Sequence, residues 1–321
     1  MELIIKPTSA CNMCCDFCAA AGIKTYDKNH VDPKILKIID TIDPDCLIFT
    51  GGDPLCVEPE YYLDLIKKYP NKLIDMTTNL KDFYYNPDKW LPILKHPNVS
   101  ICTSFNFGST RKWSKDEVYT ELKFIEVMYK FKKLVGYMPP FIAVMDKNNI
   151  DTALDTVNLA VKLNTKCRIN NAMKMGRQGI YYPRYKVFEK WLEIIESGLE
   201  NYEITCLERK KGKCPINSSL ICSSTIRAVY VNNNGSVVYN NCEDKLNLDL
   251  KNIELDKEKI VPRQNKINHK DVINESCPYC ELFNICNGCS TNREQAKKYC
   301  PEYCSEMLKL KDRIIQAKWK L

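Results

Sequence analysis

The sequence predicts an α/β fold: a partial (β/α)6 TIM-like barrel followed by a C-terminal cysteine-rich domain. Three observations carry this reading. From residue 1 to about residue 180, short apolar runs alternate with longer amphipathic stretches, the pattern of right-handed crossover units that build a parallel sheet. The strand candidates number six, which suits a partial barrel better than a closed barrel of eight. Beyond Cys206 the alternation stops and the cysteines crowd together.

In chain order, the strand candidates are Glu2–Lys6, Cys46–Thr50, Leu73–Thr77, Val99–Ser104, Phe141–Met145 and Lys166–Asn170. Helix candidates fill the intervals at Pro33–Asp40, Tyr61–Tyr69, Trp90–Leu94, Lys115–Lys133 and Thr152–Leu163. Lys115–Lys133 has helical spacing through Val118, Leu122, Ile125, Val127 and Met128. Another helical pattern runs from Tyr181 to Leu199, with Trp191, Leu192, Ile194 and Ile195. A hairpin is expected from Ala228–Val231 and Val237–Tyr239 around Asn233-Asn234-Gly235, a strong turn signal. Lys251 to Lys270 is lysine-rich with little periodicity and reads as a loop or linker. The expected divisions are a barrel at 1–200, a cysteine-rich domain at 201–310 and a helical tail at 311–321.

The 321 residues are 45% hydrophobic and 27% charged, as in an ordinary globular protein. The net charge of +7 is spread along the chain, and no arginine-rich run or recognised module points to nucleic acid. No stretch approaches the about 18 apolar residues of a membrane span. The N-terminus, Met-Glu-Leu-Ile-Ile-Lys-Pro, lacks the features of a signal peptide, so a cytoplasmic protein is expected. Eighteen cysteines in a reducing compartment then point to metal binding or redox chemistry in place of disulfides. With only His30, His96 and His269 as imidazoles, any metal is held mainly by thiolate, which favours zinc or iron–sulfur. Four cysteines lie between positions 11 and 18, and ten between 206 and 304. Cys46, Cys56, Cys102 and Cys167 stand singly and read as core or loop thiols.

Residues 11–18 read Cys-Asn-Met-Cys-Cys-Asp-Phe-Cys. Cys11, Cys15 and Cys18 form a C-x3-C-x2-C set, three thiolates from one loop after the first strand. Three ligands on a four-iron cubane leave one iron open for a small molecule. A zinc knot is the competing reading of this spacing and would want a fourth ligand, for which His30 is available. The loop resembles the signature of the radical S-adenosylmethionine (radical SAM) superfamily, including the aromatic Phe17 before the third cysteine. The resemblance implies a cluster whose open iron chelates S-adenosylmethionine. One electron then cleaves that cofactor to methionine and a 5′-deoxyadenosyl radical, which abstracts hydrogen from substrate. Cys14 is extra to the pattern and is not expected to be a ligand.

The second strand runs into Gly51-Gly52-Asp53-Pro54, which resembles the superfamily's glycine-glycine-glutamate-proline turn, with Asp53 one methylene shorter. Glycines let a backbone approach a ligand closely, and an acidic side chain suits an ammonium nearby. By resemblance, Thr78 or Asn79 would meet the cofactor's methionyl part, and Ser104 or Asn106 its ribose. Asn170 and the Gly176-Arg177 turn after the sixth strand are further polar candidates.

Cys277, Cys280, Cys286 and Cys289 have C-x2-C-x5-C-x2-C spacing and are followed by Cys300 and Cys304. By spacing alone, tetrahedral zinc and iron–sulfur are both open. This segment, with Cys206, Cys214, Cys222, Gly235 and Cys242 upstream, resembles the SPASM extension of peptide- and protein-maturing radical enzymes. The resemblance implies two auxiliary [4Fe-4S] clusters, one on Cys214, Cys222, Cys242 and Cys289. The other would take Cys277, Cys280, Cys286 and either Cys300 or Cys304. Two spacings depart from the family's pattern: Cys286 and Cys289 are one residue closer than usual, and six residues separate Gly235 from Cys242 in place of four.

The implied function is peptide modification by cross-link, thioether, oxidation or excision, with reducing electrons from a flavodoxin- or ferredoxin-type donor. No catalytic acid or base can be assigned. Because the first cysteine stands at position 11, a separate leader-recognition protein, or docking on the barrel itself, is expected. The alternatives are a radical SAM dehydrogenase or epimerase acting on a small molecule, and a non-catalytic zinc-binding interaction protein.

Overall fold

The computed structural model describes residues 2–18, 31, 33–172, 174, 177, 179, 181–210, 228–231, 237–239, 273–282 and 290–318. Its strands are β1 (Glu2–Ile5), β2 (Cys46–Phe49), β3 (Leu73–Thr77), β4 (Val99–Ser104), β5 (Lys112–Ser114), β6 (Glu117–Val118), β7 (Phe141–Met145), β8 (Cys167–Asn171), β9 (Ala228–Val231) and β10 (Val237–Tyr239). β1, β2, β3, β4, β7 and β8 pair in parallel in that order and curl into a half-barrel. The expected partial barrel is therefore present, and its six strands match the sequence candidates to within a residue at each end.

The helices between strands are α1 (Pro33–Ile42), α2 (Pro59–Lys68), α3 (Lys81–Tyr85), α4 (Pro87–Leu94), α5 (Glu121–Val135) and α6 (Ala153–Lys162). α7 (Arg184–Glu196) and α8 (Ile204–Lys210) follow the sixth barrel strand. α1 shows why these segments are helical: Ile35, Ile38, Ile39 and Ile42 recur on one face and are buried, behind a proline in the first turn. On the strands the alternation has period two. Leu47, Phe49, Ile74, Met76, Ile101 and Phe141 are buried in the hydrophobic core, whereas Ile48, Asp75, Cys102, Ser104, Ile142 and Asn170 alternate with such buried residues and are half-buried.

One helix differs from expectation. Lys115–Lys133 is not helical throughout: β5 and β6 form a short antiparallel hairpin, and α5 begins only at Glu121. Thr120 stops the helix from extending backward, because its hydroxyl caps the Lys123 N–H at 3.3 Å. The helical spacing seen at Val118 was incidental, since Trp113 and Tyr119 are drawn into the interior beside Phe105 and Phe124.

The expected hairpin is present as β9 and β10, antiparallel to one another, and its Asn233–Gly235 turn lies outside the described residues. β9 also pairs in parallel with β1, so the barrel sheet continues into the chain beyond residue 200. Glu203 likewise binds the barrel edge, bridging to Cys167 and accepting the Ile169 N–H at 2.8 Å. The expected boundary at residue 200 thus falls within segments that pack on the barrel. Toward the C-terminus come α9 (Ser290–Tyr299), α10 (Tyr303–Lys309) and α11 (Lys311–Gln316). α11 is the start of the expected helical tail, held to α7 by a two-pronged Arg313–Glu196 pair at 2.8 Å. Lys251–Lys270 lies outside the described residues.

Candidate functional site

The loop carrying Cys11, Cys15 and Cys18 leaves the end of β1 and is seated by backbone on the turn that leaves β2. The Gly52 N–H donates to Thr8 O at 3.0 Å and the Asp53 N–H to Ala10 O at 2.7 Å. Gly51 has φ +125°, and a Cβ there would stand 2.6 Å from Thr8 O; a Cβ on Gly52 would stand 2.0 Å from Ala10 O. Both glycines are thus required where the turn meets the cysteine loop.

Asp53 is fully enclosed, and its carboxylate accepts the Leu55 N–H at 2.9 Å, the Thr78 hydroxyl at 2.9 Å and the Asn79 N–H at 2.6 Å. These bonds stitch the end of β2 to the end of β3. Burial pushes the Asp53 pKa up to about 6 despite the three donors that favour its charge. Pro54 opens a single helical turn, and its carbonyl accepts the Tyr62 hydroxyl at 2.7 Å. The Asn79 amide reaches Asn12 Oδ1 at 2.9 Å and the Cys11 sulfur at 3.6 Å, which ties β3 to the cysteine loop. Lys81 adds a bond to Asn12 O at 2.9 Å and another to Trp113 O.

The other side of the loop is held by Thr110 and by Lys112, the first residue of β5. The Cys14 N–H donates to Lys112 O at 3.3 Å and the Asp16 N–H to Thr110 O at 2.8 Å. These two bonds flank Cys15 on the loop and Arg111 on the facing segment, and of the loop cysteines Cys15 acts most strongly on the Arg111 charge. Arg111 is 5% exposed. Its guanidinium lies 5.0 Å from the Phe17 ring centroid and donates to Ser104 Oγ at 2.9 Å and to Asn106 Oδ1 at 3.2 and 3.0 Å. Asn106 also clasps both backbone groups of Val144 on β7. Asn106 thus joins β4, Arg111 and β7, and Ser104 accepts from Arg111. Asn170 lies opposite Val144 in the register. Across the loop, the Arg177 N–H donates to Cys18 O at 2.9 Å, and its guanidinium reaches Cys15 O at 3.4 Å.

These residues fit a sulfur-ligated anionic cluster. The Met13 and Asn79 N–H groups point at the Cys11 sulfur, and a buried cation stands beside the loop. Among the described residues no three His, Cys, Asp or Glu side chains converge as a single ion would require. A four-iron cluster makes no such demand, because each thiolate takes a different iron. Burial, then the Asp53 charge, pushes the Cys11 thiol up to about 12, so iron must displace its proton on binding. Cys56 also lies near the loop, its thiol pushed up to about 12 by burial and by the neighbouring Asp53 and Cys11.

A family model, the radical SAM superfamily, matches residues 5–160. The chain belongs to the radical SAM superfamily. Among solved structures, it is similar to hexahistidine-tagged anSMEcpe with bound AdoMet, at 19% identity and a TM-score of 0.66, covering 98% of this chain and 97% of that one. It is also similar to SuiB of Streptococcus suis bound to S-adenosylmethionine, at 16% identity and a TM-score of 0.64, covering 94% and 75%. SuiB bound to its precursor peptide SuiA gives 15% identity and a TM-score of 0.60, covering 94% and 74%. No curated protein matches the chain in sequence.

In this radical SAM chain the C-terminal cysteines are described in part. Cys214, Cys222, Cys242, Cys286 and Cys289 lie outside the described residues. Cys277, Cys280 and Cys304 pack together, with Asn274 donating its amide to Cys304 Sγ and its backbone N–H to Cys277 Sγ, both at 3.3 Å. Cys300 is 1% exposed and belongs to the main core, beside Tyr181 and Tyr185. Of the two distal candidates, Cys304 is the one the fold brings to Cys277 and Cys280.

Sequence reasoning missed Arg111 and Lys81. Neither sits in a motif, and in a chain with 47 Lys and Arg nothing local separates them from surface charge.

Two outcomes follow from this geometry. Gly52→Ala is expected to unseat the cysteine loop, whereas Gly136→Ala, with φ +109° and no atom within 4 Å of the new Cβ, costs only about 1–2 kcal/mol. Iron bound per chain and chemical denaturation, run on both variants, check the contrast. Asp53 is protonated up to about pH 6 in the folded chain but ionises near its usual value of 3.8 when unfolded. Its contribution to stability therefore falls as pH rises through that window and is flat above it. Denaturation of the iron-free chain at several pH values should show this slope in the wild type and not in Asp53→Asn; equal slopes would assign it elsewhere.

Proposed function

We propose that this radical SAM enzyme is of the SPASM-containing type and modifies a peptide or protein substrate. The observation that carries the radical chemistry is the three-cysteine loop at the strand ends, locked between the glycine turn and the Arg111 segment. When bound, the loop cluster supplies one electron that cleaves S-adenosylmethionine to methionine and a 5′-deoxyadenosyl radical, which takes a hydrogen atom from substrate. Cys11, Cys15 and Cys18 hold the cluster, and Asn79 and Arg177 fix the loop around it. The glycine turn, Thr78, Ser104 and Asn170 line the neighbouring strand ends, where the cofactor would be oriented. A peptide substrate is supported by the fold shared with SuiB, a protein solved with its precursor peptide SuiA.

Two auxiliary [4Fe-4S] clusters complete this reading. One takes Cys277, Cys280, Cys286 and Cys304, and the other Cys214, Cys222, Cys242 and Cys289. Held there, they would supply an acceptor for the electron left after hydrogen abstraction, and a flavodoxin- or ferredoxin-type donor would supply the reducing electron. Leader recognition falls to the barrel or to a separate protein, and the cytoplasm keeps the thiols reduced for cluster assembly.

Anaerobic purification with iron and sulfide analysis, then dithionite and S-adenosylmethionine, tests the proposal. About twelve irons and 5′-deoxyadenosine are expected. Cys15→Ala should abolish the product and Cys14→Ala should not. Cys304→Ala should cost about four irons while Cys300→Ala keeps them. Zinc without iron, and no 5′-deoxyadenosine, would refute the reading. Co-purification of a small metabolite with no captured peptide would move the substrate to a small molecule.

A further inference from the structure

The geometry points to Arg111 as a fixed internal cation of the cysteine loop, a positioning residue that seats Cys15 and favours the reduced state of the cluster held there. This rests on the cluster assignment proposed above. The two backbone bonds that flank residue 111, from Cys14 to Lys112 and from Asp16 to Thr110, hold its segment against the loop, and Cys15 is the loop cysteine that acts most strongly on its charge. Phe17, two residues on and on the same side, carries the guanidinium on its ring face. The cation thus lies on the ligand side of the loop, and Cys11, Cys15 and Cys18 all lie within its electrostatic reach.

Among the described residues no carboxylate pairs with the guanidinium. Its hydrogen-bond acceptors, Ser104 Oγ and Asn106 Oδ1, are both neutral, and the nearby Tyr119 phenol is held un-ionised by burial. A guanidinium stays charged in proteins, and burying one without a counter-charge is costly. Three thiolates and a cluster supply that counter-charge. One-electron reduction adds a further negative charge to the cluster, and a nearby cation in a poorly screened interior stabilises the reduced state more than the oxidised one. Arg177 also meets the loop, but it is exposed, so solvent screens its charge.

The test is a potentiometric titration of the anaerobically loaded full chain, followed by electron paramagnetic resonance without S-adenosylmethionine. The loop cluster is identified as the signal that Cys15→Ala removes. Arg111→Gln should lower the reduced-to-oxidised ratio at a fixed potential by about tenfold or more, equivalent to ~59 mV for one electron. Arg111→Lys and Arg177→Gln should each change that ratio by less than about threefold. If Arg111→Gln fails to load iron while its iron-free melting is unchanged and Arg111→Lys loads normally, the seating role is supported. A wild-type titration and iron load in Arg111→Gln would overturn the inference, as would an equal shift in Arg177→Gln. Collapse of iron-free melting in both Arg111 variants would overturn it too, making Arg111 a fold residue only. A wild-type chain that holds no iron would refute the cluster assignment itself, a failure distinct from one confined to the Arg111 variants.

Discussion

The site depends on backbone-to-backbone contact between two loops that leave adjacent parallel strands. Where residues 8–10 meet Gly51 and Gly52, there is no room for a Cβ on either glycine. Parallel pairing of β1 with β2 brings both loops to the same end of the sheet, and the glycines let them touch. Hydrogen bonds from Gly52 and Asp53 then fix the height of the cysteine loop above the sheet. With that edge fixed, Cys14 and Asp16 reach the carbonyls of Lys112 and Thr110, and the loop is clamped from both sides.

Buried polar groups extend the clamp around the rim. Asp53 joins the ends of β2 and β3, and Asn106 joins β4 to β7. Each is enclosed, and each is satisfied by several partners, as a buried polar group must be. The cost of enclosing Asp53 shows in its raised pKa, and the buried Arg111 is held by Ser104, Asn106 and the Phe17 ring. The rim is therefore polar by construction, which suits a protein whose part in cofactor chemistry is orientation.

The C-terminal helices are fastened to this barrel by side chains. Gln295 on α9 exchanges hydrogen bonds with the Lys174 backbone, the Lys174 ammonium lies 4.0 Å from the Tyr299 ring centroid, and Tyr299 packs against Tyr181. Lys174 and Arg177 belong to the same stretch after β8, so the segment that holds Cys18 also meets the helix preceding Cys300. α10 carries Cys304 to Cys277 and Cys280 by the same packing, with Tyr303 and Met307 buried against the core.

The six barrel strands and most of their helices were legible because binary patterning is local: period two and period 3.6 survive in the sequence whatever the tertiary context. The three-cysteine loop and the glycine turn were legible for a different reason, since a cluster and a close backbone approach each demand particular residue types at short spacing. The β5–β6 hairpin was not, because an apolar spacing can be satisfied by two folds, and burial of Trp113 and Tyr119 decided between them. The sequence by itself determined the barrel, the ligand loop and the turn beneath it. Only the tertiary structure decided that Arg111 lies beside the cysteine loop, that Asp53 and Asn106 join strand ends along the rim, and that Cys304 joins Cys277 and Cys280. Those pairings join residues far apart in the chain, and their partners are chosen by packing across strands, which no local pattern records.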